Sequence, residues 1–387
     1  MNRVSRIARC EISQCAGWRQ PSEGEPMLRR GLAVLLACVL AGPAARAETI
    51  RIGAILPLTG PAATIGARQM RGIQFAIDRA NEAGGVRGNK IEVEAADSEA
   101  KPNIAILAFR RLVDARHIQI VLTGWSGPVL AMAPLATRNK ILLINAGAQA
   151  DKLAVASPFL FNTLPSVGSE IAVLSRYLAE LGKHKAVILF ENTAAGISGR
   201  DDFEDAFPGT GGIIVARETT LLGQTGFQTE LKTLAAARPD TMLASMTTGL
   251  PEMARQYRAL GLNFLVAGTT FFQDPGLLAE PAAEGFIHTQ IRSEVAPEIA
   301  AAFERTFNAD MDFFARQFYR ASHIALTALD RVLGAGQPVT GETMRAAILN
   351  IRRLDGPVPP EFKTTAPIDI NVVRGGKDVT IRRGPEN

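Results

Sequence analysis

The chain has 387 residues, 47% of them hydrophobic, with 42 basic and 38 acidic side chains, four histidines and three cysteines. That length exceeds one compact core and suits two lobes of about 150 residues each. The basic excess is local: seven Lys+Arg and three Asp+Glu precede residue 48, so the remainder balances at 35 of each, which removes the electrostatic case for a nucleic-acid partner.

The first element in chain order is a leader. Met27 is followed by two arginines, an apolar run from Leu32 to Leu40, and Ala45-Arg46-Ala47, a small-residue site of the kind signal peptidase cuts. Residues 27–47 therefore read as a secretory signal peptide cleaved after Ala47, with residues 1–26 an upstream extension and Met27 the expected start. A rival reading is a lipobox, Leu35-Leu36-Ala37-Cys38, ending in a lipidated Cys38; the apolar stretch before it is short for that role. Cys10, Cys15 and Cys38 all precede the cleavage site, so no disulfide is expected in the exported chain. No other apolar run reaches the roughly 18 residues of a membrane span. A periplasmic location follows as the expectation.

Beyond the leader, apolar runs of strand length alternate with helical periodicity. Residues 50–56 read as a buried strand, and 63–80 carry Met70, Ile73, Ile77 and Ala80 at helical spacings until Gly84-Gly85 stops the helix. Strand 91–95, helix 102–115, strand 118–123, helix 127–138 and strand 141–145 follow, the signature of a parallel, doubly wound sheet. The pattern restarts after Leu164-Pro165 with helix 167–181, strand 186–191, a short helix at 201–207 and strand 213–217. A helix opened by a Thr225/Gln228 capping box comes next, and strand 241–246, helix 251–260 and strand 264–267 complete a second lobe of similar design. Helices 297–307, 313–333 and 341–350 have no strand partners of their own and are expected to return to the first lobe, the short β-like tail to the second. The α/β fold thus divides into an N-terminal lobe, 48–164 plus 290–353, and a C-terminal lobe, 165–289 plus 354–387.

Catalytic patterns are missing. His117, His184, His288 and His323 are the only histidines, none falls in an HExxH pattern, and no cysteine beyond residue 47 remains for a zinc set. The sequence holds no G-x-S-x-G elbow, no G-x-x-x-x-G-K-[ST] loop and no G-x-G-x-x-G after a strand. No enzyme, metal or cofactor is expected.

What remains are small and polar residues at the carboxyl ends of strands, where open α/β sheets bind ligands. The first lobe offers residues 58–66, which include Ile65, then Trp125-Ser126-Gly127-Pro128 and Asn145-Ala146-Gly147-Ala148-Gln149. The second offers Asn192-Thr193-Ala194-Ala195-Gly196, Met246-Thr247-Thr248-Gly249 and Thr269-Thr270-Phe271-Phe272. Ser126 stands where a helix begins, so its hydroxyl and the free N–H groups of that turn either hold an anionic oxygen or serve as a plain cap. Gly147 would let a ligand approach the backbone. Phe271 and Phe272 are either core or, facing the cleft, a wall for an apolar ligand.

These loops, with IRIGAILPLTGPAATIGARQMRGIQFAIDRANEAGGVRGNKIEV (residues 50–93), the segment 190–196 and FFARQFYRASHIALTALDRVL (313–333), make residues 48–387 resemble the type I periplasmic binding proteins of the leucine/isoleucine/valine-binding family, soluble receptors of ABC importers. The resemblance implies two lobes joined by a three-strand hinge near Pro165, Thr289 and Leu354 and closing on a small solute, with a membrane permease as partner and a monomeric state. It places Ser126 and the backbone of Ala146, Gly147, Ala148 and Gln149 on the ligand's α-carboxylate, and Ile65 at the position that stacks on the ligand.

The departures from that family narrow the ligand. Ala195 stands where the family has the tyrosine of an N-x-x-Tyr-Gly segment, Thr247 or Thr248 matches a second aromatic position, and Thr270, or else Thr269, falls where amino-acid binders carry the acid that pairs the α-ammonium. An unpaired buried charge costs about 3–5 kcal/mol. The expected solute is therefore an organic or aromatic carboxylate without an ammonium group, held between Ser126 and walls formed by Trp125, Phe271 and Phe272. Two other readings stay open: a branched-chain amino-acid binder in which Asp274 or Glu294 supplies the acid, and a periplasmic sensing receptor built on the same clamp.

Overall fold

The computed structural model describes residues 48–351 and 366–385. The leader, the alternatives at Met27, Ala47 and Cys38, and the crossing near Leu354 lie outside the described residues.

The first sheet is built from continuous apolar runs, as strands covered on both faces require. It comprises β1 (Thr49–Leu56), β2 (Lys90–Asp97), β3 (Ile120–Thr123), β4 (Leu142–Asn145) and β5 (Leu160–Asn162) in the order β2-β1-β3-β4-β5, all parallel, with Ile52 opposite Val93 and Asn145 opposite both Thr123 and Asn162. Between them run α1 (Ala63–Glu82), α2 (Pro102–Arg110), which continues into a π-turn at Arg111–Ala115, and α3 (Ser126–Asn139). Phe109, Val129 and Met132 cover one face of the sheet against Val121 and Leu143. Ile73 and Ile77 cover the other, together with Phe318, Ala325 and Leu329 from a helix far along the chain.

The second sheet contains β6 (Lys185–Glu191), β7 (Ile213–Thr220), β8 (Thr241–Ser245), β9 (Leu265–Gly268), β10 (Ile287–Ile291), β11 (Ile368–Arg374) and β12 (Lys377–Arg382), ordered β12-β11-β10-β9-β8-β6-β7. Its first five strands in the chain pair in parallel, while β11 and β12 add antiparallel. One face carries α4 (Val167–Glu180) and α5 (Ala194–Ala206) through Ile171, Leu174, Phe203 and Phe207. The other carries α6 (Gln228–Ala236) and α7 (Leu250–Ala259) through Leu231, Leu234, Met253 and Tyr257. A short turn, α8 (Pro275–Leu278), follows β9 and is capped by the Asp274 carboxylate.

After β10 the chain returns to the first sheet in α9 (Pro297–Phe307), α10 (Phe313–Gly334) and α11 (Gly341–Leu349). Helix α10 presents Phe314, Phe318, Ala321, Ala325, Leu329 and Val332 on one buried stripe and is capped by Asp312, whose side chain accepts the Ala315 N–H at 2.9 Å. It crosses α1 at Gly72. A Cβ there would lie 2.1 Å from the Ala315 carbonyl oxygen, so no larger residue fits this approach.

Three local expectations change. Strand β5 extends the first sheet where only a crossing was anticipated. Helix α5 begins at Ala194 rather than near Asp201, because the Thr193 hydroxyl accepts the Gly196 N–H at 3.2 Å and starts the helix seven residues early. The Thr225/Gln228 capping box does not form: Gln228 opens α6 behind Phe227, whose side chain makes no cap, and the Thr225 carbonyl instead accepts from Gln256 Nε2 at 2.7 Å.

Candidate functional site

Two adjoining cavities lie between the carboxyl ends of the strands of the two sheets, where α/β folds place ligands. The first is bounded by Trp125, Ser126, Gly127 and Gly147 on one side and by Thr193, Ala194, Ala195, Thr247 and Phe271 on the other. The second shares Ala195, Thr247 and Phe271 and adds Gln149, Val167, Gly196, Ser245, Met246 and Thr269. Every one of these residues is uncharged.

The first-sheet wall is a donor surface. The loop after β3 turns sharply at Trp125, a non-glycine residue at φ 74°, and α3 starts at Ser126. The Ser126 Oγ accepts the N–H groups of Gln149 (3.3 Å) and Ala150 (3.2 Å). Both its lone pairs are thus occupied, and its own O–H is left to donate. The first bond closing the helix runs from Val129 N–H to Trp125 C=O, and Pro128 has no N–H, so the Ser126 and Gly127 N–H groups are the first-turn donors without a helical acceptor. The loop after β4 contributes less than expected. The Asn145 Oδ1 accepts from Gly147 N–H (3.2 Å) and Ala148 N–H (2.8 Å), and Ala146 N–H reaches Thr123 C=O (3.0 Å). Gly147 matters instead for space: a Cβ there would sit 2.9 Å from Gln69 Nε2 and 3.2 Å from Phe318.

The second-sheet wall is organised by a carboxylate behind it. Glu191, at the end of β6, is fully buried and accepts the Thr247 hydroxyl at 2.5 Å, the Thr248 hydroxyl, and the Thr193 hydroxyl at 3.5 Å. Burial pushes its pKa up, and these hydroxyls pull against that shift. A second fully buried carboxylate, Glu170 on α4, ties the two sheets together. It accepts Gln149 Nε2 at 2.7 Å from the first-sheet loop, and the Thr270 N–H at 2.9 Å and Thr289 hydroxyl at 2.5 Å from the second. Its pKa too is raised by burial against those bonds.

Of the twelve residues expected at the site, Trp125, Ser126, Gly147, Gln149, Ala195, Thr247 and Phe271 line the cavities. Five do not. Ile65 packs in an apolar cluster with Phe313 and Phe314 behind Trp125, and Ala146 and Ala148 belong to the cores of the two faces of the first sheet. Thr248 is spent on Glu191 and on the Gly223 N–H (2.9 Å). Thr270 is spent on Glu170 and on Gln273, whose Nε2 donates to its Oγ1 at 2.7 Å. Asp274 does not supply an acid: it pairs Arg68 across the lobes at 2.8 Å and caps α8. Glu294 is exposed and lines neither cavity. Thr269, the alternative to Thr270, and Thr193, named only within its loop, do line the cavities; Ser245 lines one without having been singled out, and neither buried glutamate was. The signal for Glu191 was present in the run AVILFE, where an acid ends an apolar strand and must find donors if buried.

The lobes also meet at two carboxyl groups. Asp151, in the turn Asp151–Val155 after β4, donates its N–H to Ser198 Oγ at 3.1 Å, and Ser198 donates to Asp202 on α5 at 3.4 Å. Burial, and then Asp151 beside it, push Asp202 up to about 7.

Comparison with known proteins agrees with this fold. A family described as periplasmic binding protein matches residues 49–371. A Leu/Ile/Val-binding protein of Rhizobium johnstonii is 26% identical over 82% of this chain and 87% of its own. Among solved structures, an ABC transporter solute-binding protein of R. palustris in complex with benzoate is similar at TM-score 0.79 and 21% identity, covering 87% of this chain and 97% of the other. Another from Rhodopseudomonas palustris BisB5, in complex with 3,4-dihydroxybenzoic acid, is similar at TM-score 0.77 and 24% identity, with the same two shares.

Proposed function

Since the chain belongs to the periplasmic binding protein family, we propose that it is the solute receptor of an ABC importer of the branched-chain amino-acid type, and that its solute is a small organic or aromatic carboxylate rather than an α-amino acid. The observation that carries this reading is the pairing of a donor surface at Ser126 and Gly127 with cavities that no charged side chain among the described residues lines. A carboxylate is served by the Ser126 hydroxyl and the first-turn N–H groups at the positive end of α3. An α-ammonium beside it would meet Trp125, Gly147 and Phe271 and no counter-charge, which costs about 3–5 kcal/mol. Trp125 and Phe271 supply apolar surface for the body of the acid. The two relatives that hold benzoates and the one named for leucine, isoleucine and valine frame the choice.

In this reading the receptor acts as a monomer. It closes its lobes on the solute and presents the closed form to a membrane permease, which requires that the ligand favour closure through contacts to both walls. Calorimetric titration of ligand-free protein with benzoate, phenylacetate, 4-methyl-2-oxopentanoate, leucine and valine tests it. Micromolar binding of one or more acids with no heat from the amino acids is the expected result. Tight leucine or valine binding with silent acids refutes it.

A further inference from the structure

The second cavity has a hydrogen-bond polarity that the carboxylate reading does not use. Gln149 is 2% exposed. Its Nε2 donates to Pro165 C=O at 3.1 Å and to Glu170 Oε1 at 2.7 Å. Both partners only accept, so the amide cannot be turned round, and the oxygen is the atom left over. That Oε1 is buried without a partner, in a residue that lines the second cavity. An unsatisfied buried acceptor costs about 1–3 kcal/mol, which a donor from a bound solute would offset.

Its neighbours share the same sense. Ser245 donates its hydroxyl hydrogen to Gly196 C=O at 3.1 Å, and Thr247 donates its own to Glu191 at 2.5 Å. Each hydroxyl has one hydrogen, so toward the cavity both offer lone pairs alone. Glu191 in its ionised form, which the Thr193, Thr247 and Thr248 hydroxyls favour, fixes this direction for Thr247.

We propose that Gln149, Ser245 and Thr247, with Glu191 behind Thr247, select a carboxylic acid that also bears a neutral hydroxyl. The inference rests on the carboxylate reading above. It adds the chemical class: a hydroxylated acid over its deoxy parent. The donor is a hydroxyl and not an ammonium, since among the described residues no ionised side chain lines either cavity.

The test is a ratio of affinities measured by calorimetry on ligand-free protein, for benzoate against 4-hydroxybenzoate and cyclohexanecarboxylate against 4-hydroxycyclohexanecarboxylate, with leucine as the amino-acid control. In at least one pair the hydroxylated acid is expected to bind ten-fold or more tightly than its parent. Thr247→Val and Ser245→Ala should each move that ratio toward unity. Glu191→Gln, whose amide can donate to Thr247 and release its hydrogen, should narrow it as well. Thermal melts identify which variants fold, and the wild-type ratio decides the matter if none does. Parents that bind as tightly as their hydroxylated partners overturn this proposal and leave the carboxylate reading standing. Binding of leucine alone, or of none of the four acids, overturns both.

Discussion

At the residue scale the site turns on Ser126, whose oxygen joins two loops and whose hydrogen faces the cavity. Ser126→Ala removes a donor to a charged ligand group, worth about 1.5–3 kcal/mol, and so should weaken acid binding by roughly 10- to 100-fold. It also strands the N–H groups of Gln149 and Ala150, so the melting temperature of the free protein should fall. Calorimetry and a thermal melt read the two effects separately; unchanged affinity would remove Ser126 from the ligand. The two buried glutamates differ from it in kind. They touch no cavity surface, yet they decide which way the groups in front of them point.

At the element scale the crossing of α1 over α10 sets the first lobe's outer face. Gly72→Ala would add about 1 kcal/mol of helix propensity at an open site, but here the methyl would meet the backbone oxygen of Ala315, which has no rotamer to yield. Overpacking of this sort costs about 1–3 kcal/mol. Net destabilisation in urea unfolding is the expected sign, and a more stable variant would show that the helices slide apart freely. Such elements were legible because periodicity survives in a single sequence: the stripe from Phe314 to Val332 repeats at three and four residues, and α9 begins and ends where read. The failures were those of caps and short strands. Three residues of β5 carry too little pattern, and Thr225 has the right type at an offset that the real first turn of α6 does not use. At the site, the loops were legible as small polar runs at strand ends, whereas the direction of each side chain was not. Thr247 and Thr248 are adjacent and alike in sequence, but only Thr247 borders the cavity, a distinction made by the alternation of the chain leaving β8.

At the scale of the whole molecule, the lobes are joined by charged groups of two kinds. The Arg68–Asp274 pair is largely buried, its side chains 18% and 20% exposed, with Asp312 a second partner of the arginine at 3.4 Å. Asp202 behaves differently. Its pKa lies above the ordinary carboxylate range because burial and Asp151 disfavour its charge, with Asp201 a further like charge and Ser198 opposing them. In the clamp reading proposed above, opening would part Asp202 from Asp151 and lower that pKa, so the joined form binds the proton more tightly. Closure is therefore favoured at low pH and loses that contribution as pH rises toward and through about 7. Affinity for an acid ionised throughout, such as benzoate, should fall a few-fold between pH 5 and pH 8, the half-buried position of Asp202 keeping the effect small. Asp202→Asn should flatten the profile, and an unaltered slope in that variant would assign the titration elsewhere.

Trp125, held at a positive φ against the first cavity, has a practical consequence. The chain contains two tryptophans, and the other, Trp18, precedes residue 48. A protein begun at Glu48 would carry a single indole, set in the wall of the cleft. Its intrinsic emission reports from one place only, and stopped-flow fluorescence could follow solute entry and lobe closure as separate phases without any attached dye.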